Sequence, residues 1–308
     1  MKTEKTSATL ETVLSQYRVF RMSVWAVLAL LIAALVCLFI NRYAAFALLG
    51  LALVFHIFYV RRQQKAYTEL VNRSNIELTV MKKIGAEDVS GKSTGGLNAS
   101  TIKRAGMMPC DGSPSFFWGM EGDMGPFHLQ ISDVSIPQQF ELKKGGKNRM
   151  HFDVGVWTHV VLPADSGYRY CIIDETAVPT PIRMAYFDRD PVMFHAELGE
   201  PSLKGKAVLY RPMNEEDQRP SPAVMKSLMD LIAYTPGYTA LSLHGNEMDL
   251  FIRGRFLALP VTVSKKPTAA SLEFDPFPEL DYIKKIASAC SSTRRLRSAE
   301  EAAAVQEN

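Results

Sequence analysis

Three patterns of apolar residues succeed one another along this chain. The first is unbroken. Met22–Ile40 and Ala44–Val60 carry no charged residue, and His56 is the one group in either that gains a charge near neutral pH. Only Asn41, Arg42 and Tyr43 separate the two runs. A helix needs roughly 20 apolar residues to cross a bilayer, with about 17 sufficing. Lipid offers backbone polar groups no partner, so each crossing segment must be helical. The runs predict a transmembrane hairpin with spans 22–40 and 44–60. His56 falls about one turn from the end of its helix, where an imidazole reaches headgroup water.

The second pattern is helical. Leu10, Leu14 and Tyr17 precede the first span at helical spacing, as a cytoplasmic N-terminal helix over 1–21. Arg61–Lys83 continues the second span, with Tyr67, Leu70, Val71 and Ile76 on one side. Gly85–Ser100 then loses all periodicity and is rich in Gly, Ser and Thr, which predicts a flexible linker. Residues 61–100 are thus a helical extension followed by that linker.

The third pattern is alternation. Phe127, Leu129 and Ile131 alternate with His128, Gln130 and Ser132, and Phe140 with Leu142 makes a second short run before the turn Lys143–Asn148. Phe152, Val154, Val156, Thr158, Val160 and Leu162 share one face of a longer strand. Strands also fit Tyr168–Ile173 and Lys206–Tyr210, and Gly245-Asn246 joins Leu241 and Leu243 to Met248, Leu250 and Ile252 as a two-residue hairpin. Two helices accompany them. Ser221-Pro222 supplies an N-cap and a first-turn proline, and Asp275-Pro276 opens a helix carrying Leu280, Ile283, Ile286 and Ala287. The fold class is α+β: the two-helix hairpin, then a mainly antiparallel sheet domain with flanking helices over 101–290. Residues 291–308 form a disordered or loosely helical tail.

Charge orients the hairpin. Arg18 and Arg21 precede the first span, Arg61, Arg62 and Lys65 follow the second, and the loop holds only Arg42. The positive-inside rule puts both termini, and the sheet domain, on the cytoplasmic side. A cleaved signal peptide lacks its small-x-small site, and Cys37 follows Val36, which is no lipoprotein signal. A buried hairpin of a soluble protein would carry a polar stripe. The net charge of +3, with 35 basic and 32 acidic residues well mixed, gives no nucleic-acid footprint. The partner implied is the lipid bilayer, with a protein partner or small ligand for the domain.

Candidate chemistry is sparse. The four cysteines, Cys37, Cys110, Cys171 and Cys290, form no C-x-x-C pair and read as free thiols. The histidines show no metal-ligand spacing, so neither a metal nor a cofactor is expected. Nucleophile motifs such as G-x-S-x-G are missing. Gly85 to Thr94 resembles a phosphate-binding loop but has one residue too many and Gly95-Gly96 where a helix should start. Glu121, Asp123, Asp188 and Asp190 sit in Gly- or Pro-bounded turns, where acids are ordinary. His128 and His244 read as solvated. His159, between Trp157 and Val161 on one strand face, and Cys171 are the candidate catalytic residues. Arg294–Arg297 could touch anionic lipid or be a solvated tail.

The hairpin followed by Arg61-Arg62, the stretch Gly125–Ser135, the strand Phe152–Val161 and the stretch Ser242–Ile252 resemble a family of uncharacterised bacterial two-span membrane proteins, a domain-of-unknown-function family. The resemblance implies a place in the bacterial inner (cytoplasmic) membrane and carries no activity. The sequence therefore reads as a membrane-anchored cytoplasmic binding or regulatory module. Its alternative is a membrane-tethered hydrolase-type enzyme with a site assembled from distant residues.

Overall fold

Unbroken apolar sequence becomes unbroken helix. In the structure, a computed structural model, residues 2–87, 89, 91–140, 149–173, 193–196, 207–212, 219–235 and 238–292 are described. The expected turn at Lys143–Asn148, the turn acids Asp188 and Asp190, and the tail with Arg294–Arg297 lie outside them. The chain divides into two compact units, Met1–Thr79 with Ala258–Pro276, and Val80–Leu257 with Phe277–Asn308.

In the first unit, α1 (Lys2–Leu38) runs to the loop, where the Asn41 side chain accepts from the backbone of Tyr43 at 2.9 Å and caps α2 (Arg42–Phe55). A π-helical turn, His56–Val60, passes directly into α3 (Arg61–Leu78). Two helical stretches of the chain, Thr9–Leu38 and Arg42–Ile84, are long and apolar enough to cross a membrane. The arms meet along a seam of Val13, Phe20 and Ala34 against Ala45, Ala52, Val60 and Tyr67, all buried. Small alanines let the backbones approach. Gln16 donates to Gln63 at 2.9 Å, and Phe20 stacks on Tyr67, so the arms are antiparallel with Phe20 near the level of Val60.

The seam on the returning arm steps seven, eight and seven residues, at 45, 52, 60 and 67. Eight α-helical residues would swing Val60 roughly 100° further round than seven. The π turn lies inside the eight-residue step and absorbs the extra residue, because each π turn holds one more residue than an α turn. Near the foot of the hairpin, Val13, Tyr67, Leu78 and Leu272 form a cluster. Leu272 arrives on a single helical turn, Ala269–Leu272, closed by a Thr268/Ser271 capping box. The Asn75 amide holds this segment by donating to the carbonyls of Leu272 (3.2 Å) and Phe274 (2.5 Å).

In the second unit, α4 (Val80–Ile84) and α5 (Ala99–Ala105) precede the sheet. Its strands are β1 (Ser115–Met124), β2 (Phe127–Phe140), β3 (Arg149–Val161), β4 (Arg169–Ile173), β5 (Met193–Ala196) and β6 (Val208–Pro212), then β7 (Thr239–His244) and β8 (Glu247–Arg253). Helix α6 (Pro222–Tyr234) comes between β6 and β7, and α7 covers 280–292. The eight strands order as β1-β2-β3-β8-β7-β4-β6-β5, every pair antiparallel. The fold class is α+β, as the sequence predicts.

Both faces of the sheet are covered over its middle. One carries Trp157, Phe251, Ala240, Ile173 and Val208 against Ile102, Met107 and Met108. The other carries Leu129, Val160, Leu250 and Leu241, buried like Ile283 and Ile286 of α7. The Arg255–Glu279 ion pair, 2.5 Å, ties the exit of β8 to the start of α7 around a fully buried carboxylate.

Four expectations need correction. The stretch Gly85–Ser100 is not a free linker in its described residues: Val89 and Leu97 are buried, Thr94 bridges to Gly119 of β1, and the Gly119 amide donates to Ser93. A Cβ on Gly119 would meet the Thr94 carbonyl carbon at 2.1 Å, so the glycine makes this approach possible. The two short runs around Phe127 and Phe140 are one strand. Pro137 does not break it, because its carbonyl accepts from Asp111 on the outer edge, and its missing N–H faces the same way. The 152–162 strand is buried on one face only in part. Phe152 and Val154 are exposed because β8 ends opposite Gly155, whereas from Val156 onward both faces are covered. The last helix starts at 280 rather than at Pro276, since Pro278 opens a turn first.

Candidate functional site

One row of the sheet is polar across seven strands. The register aligns Glu121 of β1, Gln130 of β2, His159 of β3, Asp249 of β8, Ser242 of β7, Cys171 of β4 and Tyr210 of β6. The next row inward on the same face is Ser132, Trp157, Phe251, Ala240, Ile173 and Val208, so the polar row borders the apolar core. His159, Asp249, Ser242, Cys171 and Tyr210 are all buried.

Asp249 is the centre of this row. One of its carboxylate oxygens accepts from Trp157 Nε1 and from His159 Nδ1, both at 2.9 Å. A carboxylate only accepts, so the proton of a neutral His159 sits on Nδ1 and its Nε2 keeps a lone pair. That is the orienting half of an acid–base device, an aspartate fixing the tautomer of a histidine. The other half is not assembled. Ser242 and Cys171 lie beyond Asp249, on the side away from His159. Burial pushes the Cys171 thiol well up, and the nearby Asp249 charge adds to it, so it stays protonated and unreactive at neutral pH.

Of the two catalytic candidates, His159 therefore acquires a partner, and Cys171 shares its row without touching it. Asp249 and Trp157 escaped the sequence reading. The signal was an acid between Met248 and Leu250 in a strand whose neighbours are apolar on both faces. Glu121 and Asp123 lie in β1 rather than in turns, and have a plainer part. Asp123 (2.8 Å) and Glu121 (2.9 Å) hold His128 at the exposed end of β1 and β2, and these bonds, Asp123's first, raise its pKa. His128 is thus held by two carboxylates rather than simply solvated. A similar group closes the far end of β3, where Asp153 takes Arg253 at 2.5 Å and Gln138 at 2.7 Å. The Gly-Lys-Ser-Thr stretch forms turns against β1. Asn98 caps α5 by accepting from Thr101 at 3.0 Å, which occupies the amide a phosphate would want. No group of three His, Cys, Asp or Glu suited to a metal occurs among the described residues.

The basic residues flanking the hairpin form the second candidate region. The Gln16–Gln63 bond sets Arg18 and Arg21 at the level of Arg61 and Arg62, with Lys65 one turn further. Arg18, Arg61, Arg62 and Lys65 are exposed and Arg21 is half-buried. None of the five is in an ion pair among the described residues. Towards the loop from this level, Trp25 and Tyr59 are exposed, then Leu28, Leu31, Ile32, Leu35, Phe46, Leu53 and Phe58.

No protein-family model and no curated protein matches the sequence. Among solved structures the chain is similar to the crystal structure of the mycobacterial trehalose monomycolate transport factor A, TtfA. The identity is 8% and the TM-score 0.37, over 71% of this chain and 93% of that one. A likeness of that strength transfers nothing to this chain.

Proposed function

We propose that the protein is a membrane-anchored binding or regulatory module. A two-span hairpin in the bacterial inner membrane holds the sheet domain on the cytoplasmic side, where it binds a protein partner or small ligand. The observation that carries the reading is the apolar girdle of the hairpin. Side chains such as Leu31, Ile32, Leu35 and Phe46 point outward around both arms. In water each would forgo the 1.5–3 kcal/mol, roughly, that burial of such a side chain returns. In lipid they are in their own solvent. The basic residues at one end of the girdle and the single Arg42 at the other favour cytoplasmic termini. Membership of the family that the sequence resembles belongs to the same proposal.

The test of placement is labelling of Ala164→Cys, in an exposed loop, in a Cys37→Ser/Cys110→Ser background. A membrane-impermeant maleimide should label it only after the cells are permeabilised. Labelling of intact cells would overturn the orientation.

The enzyme reading has one observation in its favour, the Asp249–His159 pair. It requires a nucleophile or water at His159 Nε2. Membranes containing the full-length protein, offered a panel of ester, amide and phosphoester substrates, separate the two. Turnover lost in His159→Gln would establish the enzyme; binding alone predicts none.

A further inference from the structure

We propose that Arg18, Arg21, Arg61, Arg62 and Lys65 form a cationic collar that selects anionic phospholipid headgroups from the surrounding bilayer. This rests on the membrane-anchored reading and goes beyond it, since a hairpin can sit in a neutral bilayer as well as in a charged one.

Three observations converge on the collar. The first is register. Residues far apart in sequence are brought to one level by the Gln16–Gln63 bond and the Phe20–Tyr67 stack, so their charges add at one depth. The second is the lack of internal neutralisation. Between Glu11 and Glu69 the chain has no acidic residue, while it carries six basic ones, of which only Arg42 is outside the collar. Glu69 stands one turn from Lys65 yet is in no ion pair with it among the described residues. The third is position. Exposed Trp25 and Tyr59 border the collar on the side of the apolar girdle. Aromatics of this kind sit at headgroup depth, so the guanidinium groups beside them are at the height of lipid phosphates. Guanidinium binds phosphate through two parallel N–H donors, and four of the five residues are arginines.

An acidic protein is the weaker occupant. The cations are spread over two helices immediately beside lipid-facing side chains, so the neighbour that touches all of them is the leaflet itself. Each basic side chain near an anionic surface adds a factor of about five in association. Even partial engagement should give a preference of about three- to tenfold.

The experiment uses full-length protein in vesicles and the fluorescence of Trp25, with Trp25→Phe protein giving the background from Trp118 and Trp157. Brominated phosphatidylcholine should quench Trp25, as any bilayer-inserted hairpin requires. At equal mole fraction, brominated phosphatidylglycerol should quench more, corresponding to about three- to tenfold tighter association at low salt. The excess should shrink to less than about twofold near 1 M salt, where the Debye length is about 3 Å. It should likewise shrink in Arg18→Gln/Arg62→Gln, which keeps Arg21, Arg61 and Lys65 for orientation. Equal quenching of the wild-type protein by the two lipids would overturn the collar and leave the anchor standing. Quenching by neither would overturn the anchor. Loss of the excess on adding millimolar inorganic phosphate would assign the cations to free phosphate and overturn the lipid assignment.

Discussion

The hairpin and the sheet domain reverse each other's surface chemistry. The hairpin turns Ile32 and Leu35 outward at 55% and 59% exposure, with little in its seam beyond alanines and a few larger residues. The sheet domain takes Asp133, Asp153, His159, Asp249 and Glu279 inside, each at 5% exposure or less. Each choice is costly in the other's surroundings. Apolar side chains facing water forfeit burial, and charges inside a protein need partners. The sheet supplies those partners: Leu257 N–H for Asp133, Arg253 for Asp153, Trp157 and His159 for Asp249, and Arg255 for Glu279. Among its described residues the hairpin buries no charged side chain.

Breaking the pairing on the sheet side should have the largest effect. Asp249→Ala leaves the N–H groups of Trp157 and His159 buried without an acceptor. It should destabilise the domain by about 3–5 kcal/mol, read as a shifted urea midpoint of the full-length protein. Asp249→Asn keeps an acceptor and should cost less than half of that. A midpoint unchanged in Asp249→Ala would mean that the pair is solvated.

The hairpin comes next. Leu31→Lys puts a charge on an outward position of the girdle and should cost about 3 kcal/mol of insertion in a bilayer. The matching change at outward-facing Phe152 of the sheet domain should lie within about 0.5 kcal/mol. Carbonate-resistant membrane fractions of the two variants test the contrast. Equal fractions would place both positions in water.

Gly245→Val probes a turn. Gly245 has φ of +64°, and of the two turn residues it alone is left-handed, the pattern of a type II′ hairpin. A β-branched residue there should cost about 1–3 kcal/mol. Urea unfolding again reads it, and no change in midpoint would deny the turn.

The smallest effect is a pH dependence. The folded pKa of His128 is raised, chiefly by Asp123. Its contribution is therefore full below the unfolded value of about 6.5 and fades as pH rises through the folded value. The side chain is 41% exposed, and solvent screening keeps the effect under about 1 kcal/mol. His128→Gln should flatten that slope in the melting temperature between neutral and mildly acid pH. An identical slope would show that the pair contributes nothing.

What sequence could reveal followed from local pattern. The hairpin was legible because every residue of each span obeys one rule, and the 245–246 turn because two residues define it. Continuity of β2 through Pro137 was not legible, since it depends on which edge Asp111 reaches. Nor was the excursion of 258–276 into the first unit. It lacks periodicity, and Asn75, which holds it, is a polar residue that looks like any other in a helix. His159 could be singled out as a candidate. Its partner could not, because the β3–β8 register that joins them spans most of the domain.

The π turn at His56–Val60 bears on how the returning arm of the hairpin tolerates a change of length. It works as a spare link, taking up one residue without rotating anything on either side of it. Deleting Ile57 should close the spare link into ordinary α-helix and leave Tyr67 against Phe20, because seven-residue steps would then run the length of the returning arm. A deletion one turn further on, in the plain helix after Arg62, has no slack to draw on and should turn Tyr67 off the seam. The hairpin thus has a joint, among its described residues, at which one residue can be lost without rebuilding the seam, and it passes directly into Arg61 and Arg62.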